Sequence, residues 1–133
     1  MPAGERRDST ELRPLLLVTR SKLLRRLLET LLTRADFDVR SATTAERALE
    51  LMATVRYAVA VVEDDLDDGN ANQLLHHARE EMKLEVPILL LSTVKRGDTE
   101  ARAALLGAND CLTTPIGPGE FIERVRRLAS GGP

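Results

Sequence analysis

Five short apolar runs, each followed by a segment with helical periodicity, leave few folds open to this chain. The runs are PLLLVT (Pro14 to Thr19), FDVRSA (Phe37 to Ala42), YAVAVVE (Tyr57 to Glu63), VPILLLS (Val86 to Ser92) and DCLTT (Asp110 to Thr114). Most are apolar throughout rather than alternating, the pattern of strands buried on both faces of a sheet. The segment after the first run carries Leu23, Leu24, Leu27, Leu28, Leu31 and Leu32, a wide apolar stripe at helical spacing. Thr43 and Glu46 stand at capping-box spacing ahead of the second helix. Leu74, Leu75 and Ala78 face inward from a third over residues 72–82, with His76 and His77 at its surface. The fourth runs from Asp98 as N-cap to Gly107 as stop and packs Ala101, Ala104 and Leu105 on the sheet. The fifth begins near Pro118. Helical crossovers return the chain to the same end each time, so the strands pair in parallel with helices on both faces.

In such a sheet, reactive groups gather where the strands end. Those ends are Thr19 with Arg20, Ala42, Glu63, Ser92 and Thr114. At 133 residues the chain is long enough for one domain with a sizeable core, which the scarcity of aromatic residues makes aliphatic. A net charge of −2 offers no basic surface for nucleic acid and no apolar run is long enough to span a bilayer. Cys111 is the single cysteine, which excludes an intrachain disulfide and fits a cytoplasmic protein. Residues 1–13 read as a flexible lead-in, 14–129 as the domain and 130–133 as a tail or linker stub.

The stretches LLLVTRSKLLRRLLETLL, RYAVAVVEDDLDDGN, VPILLLST and GANDCLTTPIGPGEFIERV resemble the receiver domain of two-component response regulators, over about nine-tenths of the chain. The resemblance implies a flavodoxin-like (βα)5 α/β fold with strand order 2-1-3-4-5. It also implies a phosphoryl-accepting aspartate after the third strand, an acidic pair holding Mg²⁺ after the first, a hydroxyl after the fourth and a lysine before a proline after the fifth. Here the acceptor position falls on Glu63, the acidic pair on Thr19 and Arg20, the hydroxyl on Ser92, the lysine on Thr114 before Pro115, and the aromatic switch position on Cys111. Shifting the register by one would make Asp64 the acceptor, but it would put Asp67 in the apolar slot that Leu66 otherwise fills.

A hydroxyl and a guanidinium are poor replacements for two Mg²⁺-binding carboxylates. Without the lysine, a cation for phosphoryl oxygens is missing, and the longer arm of Glu63 moves its oxygen from the in-line position. The expectation is a degenerate pseudo-receiver that is not an enzyme, needs no cofactor and acts through protein contacts independently of phosphorylation. The partners it would meet are a kinase or an output domain, with a homodimer as a further option. A sharper expectation is an Arg20–Glu63 ion pair standing in for metal and phosphate. The alternatives are a true phosphoacceptor at Glu63 or Asp64, and an anion site built from Arg20, Ser21 and Lys22 where the first helix begins. The carboxylates from Glu63 to Asp68 lack the ligand spacing of a calcium loop and read as a solvated turn. Lys95 and Arg96, beyond Ser92, are solvated or face that turn.

Overall fold

A computed structural model describes residues 14–66, 68–92 and 99–131, apart from the side chains at 70 and 99–102. The expectations for the lead-in 1–13, the end of the tail at 132–133, Asp67, Lys95, Arg96, the Asp98 cap and the packing of Ala101 lie outside the described residues.

The five runs form one parallel sheet: β1 (Pro14–Val18), β2 (Asp38–Ala42), β3 (Val59–Glu63), β4 (Ile88–Ser92) and β5 (Asp110–Thr113). Neighbours follow the order β2-β1-β3-β4-β5, all parallel. The sequence reading did not include a minor antiparallel hairpin, Asp65–Leu66 against Gly69–Asn70, which follows β3 and turns the chain into the next helix. The helices are α1 (Lys22–Arg34), α2 (Ala45–Thr54), α3 (Ala71–His76, continued by a π turn over His77–Glu81), α4 (Thr99–Leu106) and α5 (Pro118–Ala129).

Strand alternation divides the core in two. Leu16, Val18, Ala60, Val62 and Leu90 face α2, α3 and α4, where they meet Ala48, Met52, Leu74, Leu75 and Ala78. Leu15, Leu17, Val59, Val61, Leu89 and Leu91 face α1 and α5, where they meet Leu28, Leu32, Phe121 and Val125. Both layers are built from strand residues with no solvent exposure, as the unbroken apolar runs require.

Three local expectations need correction. The α2 N-cap is Thr44, whose hydroxyl accepts the Arg47 N–H, and not Thr43; Arg47 then occupies the third helical position and the Thr43–Glu46 box does not form. Among the described side chains of α4, Ala103 is buried, while Ala104 is exposed and Leu105 is 88% exposed, so Ala104 and Leu105 do not pack on the sheet. A short helix with apolar residues around most of its circumference gives periodicity little to orient. On α1, Leu28 and Leu32 are buried, but Leu23 and Leu27 remain 81% and 52% exposed. The stripe is wider than the sheet and α5 can cover. Gly107, with φ +99°, ends α4 as expected, in a backbone region that side chains disfavour.

Candidate functional site

The site lies at the carboxyl rim of β1 and β3, where parallel pairing brings the β1–α1 turn beside Glu63. Thr19, the residue after β1, still donates its N–H to the Ala42 carbonyl at 3.1 Å, so Arg20 and Ser21 form the turn itself. Ser21 is the α1 N-cap and its hydroxyl accepts the Leu24 N–H at 3.1 Å. The two backbone N–H groups of the turn point toward β3.

Glu63 accepts them. Its Oε1 receives the Arg20 N–H at 2.8 Å and the Ser21 N–H at a longer 3.5 Å. The residue is 6% exposed, so its carboxylate is held by backbone donors and by the positive end of α1 rather than by water. The sequence expectation of an Arg20–Glu63 side-chain pair is therefore corrected. Arg20 binds Glu63 through its main chain, and its Nη1 donates to Asp65 Oδ2 at 2.7 Å across an exposed contact. A turn that already hands Glu63 its N–H groups sends the Arg20 side chain outward, where the hairpin presents Asp65.

The same geometry places the proposed anion donors. The N–H groups of Arg20 and Ser21 face an internal carboxylate, and Lys22 is exposed. Thr19, at 0% exposure, directs its hydroxyl to the Ser21 carbonyl. Ser92 is buried at the end of β4, and Thr114 donates its N–H to the Ser92 carbonyl at 2.8 Å just before a cis Thr114–Pro115 bond. Cys111 is buried in the layer facing α2, α3 and α4. Leu66 is buried in the same layer, and β3 ends at Glu63, with Asp64 bound through its backbone to Leu91 and Ala71. His76 is exposed and His77 pairs with Glu81 at 3.0 Å on the α3 surface.

A magnesium ion does not fit this arrangement. Among the described residues, no group of three His, Cys, Asp or Glu side chains is placed to hold a metal. The Glu63 carboxylate is turned onto backbone donors, and the Asp65 carboxylate is taken by the Arg20 guanidinium.

Sequence reasoning treated the acidic turn as solvated and missed Asp68. Its Oδ1 accepts the Ala45 N–H at 2.9 Å and its Oδ2 the Glu46 N–H at 3.2 Å, so it caps α2 from a different element. No local spacing announces a cap supplied from about twenty residues away. These backbone hydrogen bonds, Ala45 first, pull the Asp68 carboxyl below its ordinary pKa. Asp68→Ala is expected to cost about 0.5–1 kcal/mol at neutral pH, at the low end of capping effects because the site is exposed. A carboxyl whose pKa is lowered on folding stabilises fully above its unfolded value of about 3.9 and loses that stabilisation as pH falls through the folded value. Urea titrations of both proteins should therefore differ at pH 7, begin to converge only below about pH 4 and meet below the folded value.

Comparison with known proteins agrees with the architecture. The family model of the response regulator receiver domain matches residues 15–126. The chain is 30% identical over 117 residues to the transcriptional regulatory protein GltR of Pseudomonas aeruginosa, covering 87% of this chain and 48% of that protein. It is 30% identical over 102 residues to the response regulator protein PilR of the same organism, covering 77% of this chain and 23% of PilR. Among solved structures, the non-phosphorylated HemR receiver domain of Leptospira biflexa superposes with a TM-score of 0.79 at 26% identity, over 89% of this chain and 94% of that one. The Francisella response regulator 1452 receiver domain superposes with a TM-score of 0.83 at 23% identity, over 90% and 98% of the two chains. This chain belongs to the response regulator receiver family of two-component signalling. It spans about half the length of GltR and about a quarter of PilR. No helix among the described residues is long and apolar enough to cross a membrane.

Proposed function

We propose that this receiver is a degenerate one, a pseudo-receiver that regulates through protein–protein contact without being phosphorylated. The observation that carries the reading is Glu63, at the acceptor position, with its carboxylate on the backbone of the β1–α1 turn. An acceptor must present a free oxygen in line with the phosphoryl donor, beside a metal and a cation. Here one oxygen of the carboxylate, Oε1, accepts from the Arg20 N–H and so fixes the group toward the turn, the metal-binding acids are replaced by Thr19 and Arg20, and Thr114 stands in place of the lysine. Glu63 extends one methylene further than an aspartate, toward the place where the phosphoryl group of a typical receiver would lie. The fold thus rests in one state, cytoplasmic in setting, read by a kinase-side protein or by an output domain such as the longer relatives have room for. It is a signalling module and not an enzyme.

Acetyl phosphate with Mg²⁺, followed by intact-mass measurement, tests this. The mass is expected to remain unchanged, and beryllofluoride with Mg²⁺ is expected to leave the amide chemical shifts around Glu63 and Ser92 where they were. A gained phosphoryl group would move the assignment to a phospho-accepting regulator, and repeating the reaction on Glu63→Gln and Asp64→Asn would show which carboxylate takes it.

A further inference from the structure

Two surfaces on opposite sides of the sheet complement each other in shape and charge. The first is the outer face of α1. Leu23 and Leu27, one turn apart, are exposed, flanked by Lys22 and Arg26. The helix as a whole carries Lys22, Arg25, Arg26 and Arg34 against Glu29 alone, a net charge of +3 (four minus one). The second is an open groove of about 1020 Å³ between α2 and α3. Its apolar lining includes Leu49, Met82 and Leu106, all only partly buried. Its carboxylates are Glu46 and Glu50 on α2, Glu81 on the π turn of α3 and Asp68 at one end, and no Lys or Arg is among the described residues that line it. Asp68 is committed to capping α2, Glu50 pairs with Arg47 at 3.1 Å and Glu81 with His77, so the wall stays acidic with local partners only partly balancing it.

We infer that the α2–α3 groove receives the α1 helix of a second copy of this chain. Leu23 and Leu27 meet the apolar lining while Lys22 and Arg26 meet Glu46, Glu50 and Glu81. Burial of exposed leucines supplies the drive, and the opposed charges fix the partner and the orientation. An isologous pairing of either surface with its own copy is disfavoured, since it sets like charges against each other. The two surfaces also cannot meet within one molecule, because α1 packs on one face of the sheet and α2 and α3 on the other. The contact is therefore heterologous and runs head to tail. A patch of two leucines is small, so the association is weak and sensitive to salt.

Sedimentation velocity of the full chain from about 10 μM to 1 mM tests this, a range in which millimolar affinities become visible. Wild-type protein is expected to sediment faster as concentration rises and to lose that dependence in 1 M salt. Leu23→Asp/Leu27→Asp removes the helix surface and leaves the groove. Glu46→Lys/Glu50→Lys removes the groove surface and leaves the helix. Each variant is expected to be monomeric throughout, with a melting temperature near wild type because all four residues are exposed. Mixed together, they should form a complex of one copy of each, and the same complex should form when Leu23→Ser/Leu27→Ser replaces the aspartate variant, a result that follows from a head-to-tail contact and not from the introduced charges. Wild-type protein that stays monomeric at 1 mM, or folded variants that fail to combine, would overturn the inference. In that outcome the groove would belong to a basic helix of another protein, or to nothing.

Discussion

Replacing Arg79 with alanine is expected to destabilise the domain by about 2–3 kcal/mol and lower Tm by on the order of 10 °C. Arg79 lies in the π turn of α3, half-buried, and its guanidinium serves three acceptors in two other segments at once. Nε donates to the Gly107 carbonyl at 2.9 Å, Nη1 to the Leu84 carbonyl at 2.8 Å and Nη2 to Asn109 Oδ1 at 3.0 Å. Asn109 Oδ1 also accepts the Ile88 N–H at 2.8 Å, so the same cluster fixes the entry to β4 and the turn from α4 into β5. Truncation leaves two carbonyls and an amide short of donors in a part-buried place, and the cost of unmet acceptors exceeds that of the bonds alone. Arg79→Lys should recover little, because one ammonium cannot reach acceptors arranged around a planar fork. Gly107 is tied to the same arrangement: a Cβ there would lie 2.8 Å from Arg79 Cγ, besides the strain of its positive φ. Thermal melts and urea titrations check this, and an Arg79→Ala melt within a degree or so of wild type would show that solvent replaces the clasp.

Arg79 also marks where the sequence stops being readable. The order of strands and helices was legible because it rests on local periodicity: apolar runs of strand length, leucine spacing, Gly107 as a stop and Pro118 at the start of α5. Contacts between elements far apart in the chain were not. Nothing in the residues around Arg79 says that its acceptors sit at Leu84, Gly107 and Asn109. Asp68 capping α2 was missed for the same reason, and the choice of Thr44 over Thr43 follows from where α2 meets the sheet. The family resemblance named the positions at the rim, and charge suggested that Arg20 and Glu63 belong together. They do meet, but through the Arg20 N–H, because backbone donors at a helix start take a carboxylate before a flexible guanidinium does, and sequence carries no record of which atom of Arg20 is nearest. At Ala104 and Leu105 the face of α4 was misread because its alanines and leucines offer several apolar stripes, and their spacing alone does not say that Ala103 is the one buried.

The other large effect is a gain. A variant carrying Thr19→Asp, Arg20→Asp, Glu63→Asp and Thr114→Lys is expected to bind Mg²⁺ and to take up a phosphoryl group from acetyl phosphate, where on the proposed reading the parent chain is expected to do neither. Shortening residue 63 withdraws its oxygen from the Arg20 and Ser21 N–H groups, and the two new acids replace a buried hydroxyl and an outward-facing guanidinium. Three carboxylates then crowd one rim, so without a divalent ion they repel one another and the variant should melt below the parent. Mg²⁺ reverses that penalty by binding the folded form alone. For a dissociation constant near 1 mM, 10 mM Mg²⁺ would restore roughly 1.4 kcal/mol, a rise of several degrees, while the parent melt stays where it was. The comparison separates two explanations of silence. If the parent proves inert and the variant gains both ion binding and phosphoryl transfer, the side chains at these four positions are sufficient cause of the difference. If it binds the ion without transfer, the barrier lies in geometry that the backbone sets, and the Glu63 contacts are a consequence of that geometry and not its origin.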